Sequence, residues 1–281
     1  PFDFSQTLSF NTLGSPSQAA IFLAALLPLS LALAFLIKKP IFWLIFLILL
    51  GSVILIDFNH AWFVFLLGIL TLAIFGLTGK IRRGLTATLM VLLVLSIFFL
   101  FFPLRFSGFP VLPFQVSPGV VSEMEILRGV YTEGIKSTLL GSGPATFIFD
   151  YSKYRSPLLN QTLFWGTRFS SGNSEFLDWF ITKGLLGGIS LLFFLGLIIY
   201  FGIKGLIKSE NPFGIRLGLI SSAVALVGAG FLSPFSFGLG FLFWVIIGGL
   251  LFYNSKEKTI ELSSRSWRAV FSVIILAATV L

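Results

Sequence analysis

Most of the side chains that could act on a polar substrate fall in one stretch of the chain, residues 122–188. Two of its carboxylates, Glu175 and Asp178, are three residues apart, so they share a face at the start of a helix. A carboxylate can accept the proton of a hydroxyl group that lies within hydrogen-bonding reach. The stretch also holds three arginines that could bind an anion, Arg128, Arg155 and Arg168. Because almost everything outside it is apolar, we expect the chemistry of the protein in this stretch.

The same residues also have purely structural interpretations. Carboxylates are favoured at the N-terminus of a helix, so Glu175 and Asp178 could simply stabilise the helix that they begin. Arg128 could pair with Glu125, which lies about one helical turn away. A basic loop over an anionic lipid surface is also common without catalysis. The sequence alone leaves these alternatives open.

The composition indicates a membrane protein. The chain has 281 residues, of which 56% are hydrophobic and only 11% are charged, and its mean hydropathy is +1.00. A soluble domain carries about 25% charged residues. We therefore expect an integral membrane protein built as a bundle of helices in a lipid bilayer. With no cysteine and a single histidine, His60, the sequence excludes thiolate chemistry and His-rich metal sites. Nothing in it requires a metal or another cofactor.

Apolar runs predict an all-α polytopic fold with about eight transmembrane helices. An eighth span begins near Ala269 and is cut short, and the chain begins at Pro1, so we expect a piece of a longer protein. The predicted domains are a membrane domain of four spans over 1–102, a large loop over 103–178, and the remaining spans over 179–281. The first seven spans are predicted at about 18–37, 41–56, 61–77, 85–102, 177–203, 217–232 and 237–253.

The basic residues predict the orientation of these spans. Lysine and arginine cluster after spans one, three, five and seven, whereas the breaks after spans two and six contain neither. Because positive charge concentrates in cytoplasmic loops, the large loop is expected outside the cytoplasm. The formal charge of +8 is explained in this way, without a nucleic-acid partner. No ATP or nucleotide sugar is present there, so any energy for a transfer reaction must already be in the substrate.

The large loop is predicted to contain a surface helix near residues 122–140. Ser122 and Glu125 form an S-x-x-E capping box that would start this helix. Gly141 and Gly143 would end it. One fairly apolar face recurs at helical spacing, formed by Met124, Leu127, Tyr131, Ile135 and Thr138.

Several motifs in and around this loop resemble those of the O-antigen ligase and polymerase superfamily. The pattern Arg128-x-x-Tyr131-x-x-Gly134 leads into Leu139-Leu140-Gly141-Ser142-Gly143-Pro144-x-x-Phe147, followed by Tyr151 and Tyr154. Asn173-Ser174-Glu175-Phe176-Leu177-Asp178 and Gly184-Leu185-Leu186-Gly187 are similar to a second motif of that family. Weaker matches are Gly14-Ser15-Pro16-Ser17-Gln18-Ala19 and Asn59-His60-Ala61-Trp62. The matches occur in the order that the family shows.

The resemblance implies a membrane glycosyltransferase of the GT-C type in the bacterial cytoplasmic membrane. Its donor would be a glycan on undecaprenyl pyrophosphate, and its acceptor a glycan, a lipid or a protein outside the cytoplasm. A polyprenyl pyrophosphate donor carries its own activation, as the predicted orientation requires. Substrate binding at the diphosphate would fall to Arg128, with Arg155, Arg168 and His60 as further candidates.

The sequence departs from the family pattern at two positions. Asn173 takes the place of the family's histidine, and an amide does not act as a base near neutral pH. Glu175 or Asp178 would then be the substitute base, with Asn173 capping the helix or orienting the acceptor. His60 takes the place of a family arginine, and it would bind a diphosphate most strongly when protonated.

Two other functions stay open at this stage. The protein could be a non-catalytic member of that family, because both departures fall on family site residues. It could also be a transporter of a polar or lipid substrate. Transporters usually place ionisable residues in the middle of the membrane, and the predicted spans are almost free of them.

Overall fold

A computed structural model describes residues 11–76, 83–102, 116–161, 163–207 and 214–254, together with Ser272. Throughout these ranges the regular structure is helical and no strand occurs. The predicted spans agree with seven of the helices to within about one turn, whereas the predicted eighth span lies outside the described residues. The helices are α1 (Pro16–Ile37), α2 (Pro40–Ile56), α3 (Asn59–Gly76), α4 (Arg83–Phe101), α5 (Val120–Thr132), α6 (Ile135–Leu140), α7 (Phe147–Tyr154), α8 (Glu175–Ile207), α9 (Ile215–Leu232) and α10 (Phe237–Asn254).

Five of the helices, α1, α3, α4, α8 and α9, are long and apolar enough to cross a membrane. Helices α2 and α10 are apolar as well but slightly shorter. The protein is therefore a multi-pass membrane protein. Helices α1, α3 and α9 pack against one another at the centre of the bundle, with α2 against α1, α4 against α3, and α8 and α10 against α9.

Small residues let the three central helices approach closely, as is usual for helices packed in lipid. A methyl group at Gly68 of α3 would overlap the ring of Pro28 in α1. A methyl group at Gly218 of α9 would lie 2.8 Å from Cβ of Ala32 in α1. These contacts leave no room for a larger side chain, so the glycines fix how near the backbones come.

Polar contacts at one end of the bundle connect α1, α8, α9 and α10. The buried amide of Gln18 donates to the hydroxyl of Ser233 (3.1 Å) and to the carbonyl of Pro234 (2.6 Å), and it accepts from the backbone of Ser236 (3.3 Å). The Ser174 hydroxyl donates to the Gly230 carbonyl at 3.0 Å. Basic residues lie at the opposite helix ends, among them Lys38, Lys39, Lys204 and Arg216. The helices thus alternate in direction as the sequence predicts.

Helix α8 is broken at Gly184, where φ is +67°. The part after the break, residues 185–207, is about 35 Å long at 1.5 Å per residue, enough to cross a membrane alone. The part before it, residues 175–183, is therefore not needed to cross the membrane. The fifth span was predicted as one helix that begins at about residue 177, where the large loop ends. The structure instead breaks this helix at Gly184.

Residues 116–161 and 163–183 form a small helical unit at this end of the bundle, which we call the lobe. Its buried apolar side chains are Ile126, Val130, Phe147, Tyr151 and Ile181. It contains α5, α6, α7, a short 3₁₀ helix (Pro157–Gln161) and the first part of α8.

The predicted surface helix over 122–140 is wrong in two respects. It is two helices, because Gly134 (φ +147°) separates α5 from α6. It also begins at Val120 with Gly119 as N-cap, so the predicted capping box of Ser122 and Glu125 is not formed, and the buried Ser122 hydroxyl has no hydrogen-bond partner in the described structure.

The buried face of α5 differs from the predicted one. Glu123, Ile126 and Val130 are buried, whereas Met124 of the predicted face is exposed. The buried set is shifted by one position relative to the prediction and includes a carboxylate.

The other parts of the lobe pack against the break in α8 and donate hydrogen bonds to three successive carbonyls of α8. A helix end leaves its last carbonyls without intrahelical partners. The Tyr131 hydroxyl donates to the Phe180 carbonyl at 3.2 Å. The backbone N–H groups of Ser142 and Gly143 donate to the carbonyls of Ile181 (3.2 Å) and Thr182 (2.9 Å).

Gly141 and Gly184 make this docking sterically possible. Both have positive φ, +73° and +67° respectively, a region that side chains rarely adopt. A Cβ at Gly184 would lie 2.5 Å from the backbone nitrogen of Gly141, and one at Gly141 would lie 2.5 Å from that of Gly184. The two backbones are thus in direct contact.

We expect Gly184→Ala and Gly141→Ala to lower the free energy of unfolding by at least about 2 kcal/mol, because each adds backbone strain and a backbone clash. Denaturant titration of the purified protein in detergent, followed by tryptophan fluorescence, measures this. Gly166→Ala is the matched control, since a Cβ there meets nothing within 4 Å. Equal stability of Gly184→Ala and Gly166→Ala would contradict the docking contact.

Candidate functional site

The most unusual feature of the lobe is a pair of buried carboxyl groups, Glu123 and Asp178. Glu123 lies on α5 and is completely buried, and its carboxyl lies beside that of Asp178 in the first part of α8. Both carboxyls lie against Gly172. A Cβ at Gly172 would overlap Glu123 and lie 2.6 Å from Oδ1 of Asp178. Glycine at position 172 therefore gives the two groups room to meet.

Backbone groups of the segment before α8 hold the pair in place. The Gly172 N–H donates to both carboxylate oxygens of Asp178, at 3.0 and 2.9 Å. The Asn173 N–H donates to Oε2 of Glu123 at 3.1 Å. The other oxygen of Glu123, Oε1, is buried and receives no conventional donor from the described residues. A proton shared by the two carboxyls gives Oε1 of Glu123 a hydrogen-bonding partner.

Burial raises the pKa of Glu123 from 4.5 to about 7. Burial also raises the pKa of Asp178, and the negative charges of Glu123 and Glu175 add to this effect. Two carboxylates in contact repel each other strongly when both are ionised. The pair therefore retains a proton near neutral pH and behaves as one coupled group.

The two members differ in how a ligand could reach them. Glu123 is fully enclosed, whereas Asp178 is partly exposed. Asp178 is thus the member that can exchange a proton with a bound molecule, and Glu123 is the member that lies against it and adds to the rise in its pKa.

Glu175, the other predicted base, is engaged in structural hydrogen bonds. Its Oε2 accepts from the Phe235 N–H at 2.8 Å, and its Oε1 accepts from the indole of Trp179 at 3.1 Å. The first bond ties the start of α8 to the connection between α9 and α10. Since each oxygen already has a donor, Glu175 is less available than Asp178 for proton transfer.

Asn173 lies beside the pair but does not cap α8. The hydroxyl of Ser174 accepts from the Leu177 N–H at 3.4 Å and takes the capping position instead. The Asn173 side chain accepts a hydrogen bond from the Ser117 hydroxyl at 3.0 Å. Its backbone supports Glu123, so Asn173 contributes to the pair through position rather than through its amide.

Two of the predicted cations are free in the described structure. Arg128 on α5 and Arg168 in the segment before α8 are both exposed, and neither makes a hydrogen bond or an ion pair with a described residue. The predicted alternative pairing of Arg128 with Glu125 is therefore not formed. A free guanidinium on the same helix as Glu123 can bind an anionic group of a ligand.

The other two predicted cations have neighbours elsewhere. Arg155 donates to the Trp165 carbonyl at 2.7 Å and lies over the ring of Tyr151. His60 lies at the start of α3 with its ring 4.9 Å from that of Phe58. In the part of the chain that is described, no hydrogen bond or ion pair joins His60, Arg128 or Arg168 to the carboxyl pair.

Glu123 was missed by the sequence analysis. It could have been found from the helical spacing of Glu123, Ile126 and Val130, which places this carboxylate on the same buried helix face as two apolar side chains. Across the described ranges, no group of three or more histidine, cysteine, aspartate or glutamate side chains is arranged to hold a metal ion. The arrangement supports proton transfer by Asp178.

The carboxyl pair predicts an unusual dependence of stability on pH. Its pKa values are higher in the folded protein than in an unfolded chain, so the folded state binds more protons between about pH 4 and about pH 8. The free energy of unfolding therefore falls as the pH rises through this range. We expect Glu123→Gln to reduce this fall and to be more stable than the wild type at alkaline pH.

Thermal unfolding in detergent across this pH range measures the effect. Glu125→Gln is the matched control, because Glu125 is exposed on the same helix. An identical pH dependence in Glu123→Gln and the wild type would refute the proton-sharing pair.

No family model, curated protein or solved structure matches this chain. The resemblance described above therefore rests on the motifs in the sequence alone. The geometry of the lobe, and above all the pair of Glu123 and Asp178, is the independent basis for a functional proposal.

Proposed function

We propose that the protein is a membrane glycosyltransferase that moves a glycan from a polyprenyl pyrophosphate donor to a hydroxyl group of an acceptor. The observation that supports this best is the buried carboxyl pair, in which partly exposed Asp178 is held against Glu123. A base with a raised pKa is well suited to take a proton near neutral pH. The sequence motifs suggest undecaprenyl pyrophosphate as the lipid carrier and a glycan, lipid or protein as the acceptor.

In the proposed reaction Asp178 acts as the general base. The pair shares one proton, and the reacting form is the one in which Glu123 carries this proton and Asp178 is ionised. Asp178 takes the proton of the acceptor hydroxyl as its oxygen attacks the anomeric carbon of the donor. The bond between that carbon and the pyrophosphate oxygen breaks, and the lipid pyrophosphate leaves with the electron pair. The proton then passes to water, which restores Asp178.

The leaving pyrophosphate needs positive charge close to it. We assign this to Arg128 first, because its guanidinium is exposed and has no partner among the described residues. Arg168 is exposed in the same way and is the second candidate. Arg155 and His60 are further candidates from the sequence motifs. No metal is assigned a part in this step.

The proposed location is the bacterial cytoplasmic membrane, with the lobe on its outer face. Lys38, Lys39, Lys204 and Arg216 lie at the helix ends away from the lobe, which supports a cytoplasmic position for those ends. We include in the proposal a GT-C-type arrangement of the membrane helices. A transporter gains no support, because the carboxyl pair lies before the break in α8 and not in the part of α8 that is long enough to cross a membrane alone.

The decisive experiment compares Asp178→Asn with the wild type in the full-length protein, reconstituted with an undecaprenyl-pyrophosphate oligosaccharide and an acceptor. Release of undecaprenyl pyrophosphate is measured. We expect at least about a 100-fold loss of rate in Asp178→Asn, because the base is removed while the shape is kept. Glu125→Gln, an exposed carboxylate on α5, is the control and should retain full activity.

Arg128→Ala tests the diphosphate site in the same assay. We expect about a tenfold or greater loss, the usual effect of removing a hydrogen bond to a charged group. Lys39→Ala, at the opposite end of the bundle, should have no effect. Absence of release from a folded wild-type protein with several acceptors would support the non-catalytic alternative and reject the transferase.

A further inference from the structure

A second polar site lies in the lobe, away from the carboxyl pair. It is an open pocket of about 500 Å³ between α6 and α7. Its lining combines two lysines, Lys136 and Lys153, with two carboxylates, Glu133 and Asp150, several hydroxyl groups and the ring of Phe149. None of these residues takes part in the reaction proposed above.

Asp150 is anchored so that one of its oxygens stays available. The Ser142 and Thr146 hydroxyls both donate to its Oδ2, at 2.5 and 3.2 Å. Its other oxygen, Oδ1, has no partner among the described residues. Burial raises the pKa of this carboxyl. A ligand hydroxyl in the pocket would meet an oriented acceptor.

Lys136 and Phe149 supply the remaining contacts. Lys136 is exposed at the pocket and makes no hydrogen bond or ion pair with a described residue, so its ammonium group is a free donor. The ring of Phe149 is 72% exposed, so its face is open to a ligand in the pocket. The pocket thus offers a hydrogen-bond donor in Lys136, an acceptor in Asp150 and an apolar face in Phe149.

The charge of the pocket argues for a neutral ligand. Lys153 is paired with Glu133 at 2.5 Å, and the lining as a whole holds two carboxylates for its two lysines. A phosphate would need unpaired cations from several directions, which this lining does not provide. A pyranose ring has hydroxyl groups around its edge and C–H groups on its faces, which match the polar lining and the ring of Phe149.

We propose that this pocket binds a neutral hexose or N-acetylhexosamine unit of a glycan. The identification of the ligand as part of a transferred glycan rests on the proposed function. The pocket also adjoins the docking contact, because the Ser142 N–H donates to the Ile181 carbonyl, one turn along α8 from Asp178. A glycan of several sugars held here would therefore be oriented with respect to the proposed base.

Ligand-observed NMR tests the binding directly. The probes are methyl hexosides and methyl N-acetylhexosaminides, added to the full chain in lipid nanodiscs. We expect binding that weakens about fivefold or more in Phe149→Ala, the usual size of one aromatic contact. Lys136→Ala should also weaken it. Leu163→Ala, which removes a side chain 95% exposed elsewhere in the lobe, is the matched control and should bind as the wild type does.

The outcomes separate this proposal from the proposed function. Sugar binding that is lost in Phe149→Ala but kept in Asp178→Asn supports the pocket, even if no variant transfers glycan. Binding that is absent from the wild type, or equal in wild type and Phe149→Ala, overturns the pocket and leaves the transferase to its own test. Stronger binding of inorganic phosphate that depends on Lys136 also overturns it.

Discussion

The break in α8 at Gly184 is the feature on which the rest of the lobe depends. It exposes the carbonyls of residues 180–182, and a buried carbonyl without a partner costs about 1–3 kcal/mol. The lobe supplies the partners through Tyr131 and the backbone of Ser142 and Gly143. The break in α8 and the packing of the rest of the lobe against it therefore depend on each other, because the carbonyls that the break frees need these hydrogen-bond donors.

The carboxyl pair depends on the same arrangement. Glu123 comes from α5 and Asp178 from the part of α8 before the break, so the two meet only when α5 packs against α8. Burying two acids is unfavourable on its own. A shared proton and three backbone hydrogen bonds from Gly172 and Asn173 offset part of this cost. Burial of the pair thus lowers the stability of the fold while it raises the pKa of both carboxyls. Raised pKa values of this kind are typical of catalytic positions.

Hydropathy predicted the membrane helices because a spanning segment must be apolar along its whole length, and α1 and α9 agree closely with the prediction. The lobe was harder, because its helices are short and its buried face includes Glu123. A carboxylate on a buried face is contrary to the usual pattern, so the predicted apolar face was displaced by one residue. The break at Gly184 was also hidden, since glycines are frequent in spanning helices and only the contact with Gly141 gives this one its role.

The chemistry of Asp178 was predicted from its residue type, but its distinction from Glu175 required the structure. The two acids are three residues apart and look equivalent in the sequence. In the folded protein Glu175 is bound by Phe235 and Trp179, whereas Asp178 faces a second acid. Two charges in contact repel each other, so an acid beside another carboxyl is destabilised in its ionised form. The different surroundings of the two acids come from partners distant in the sequence, α5 for Asp178 and the α9–α10 connection for Glu175.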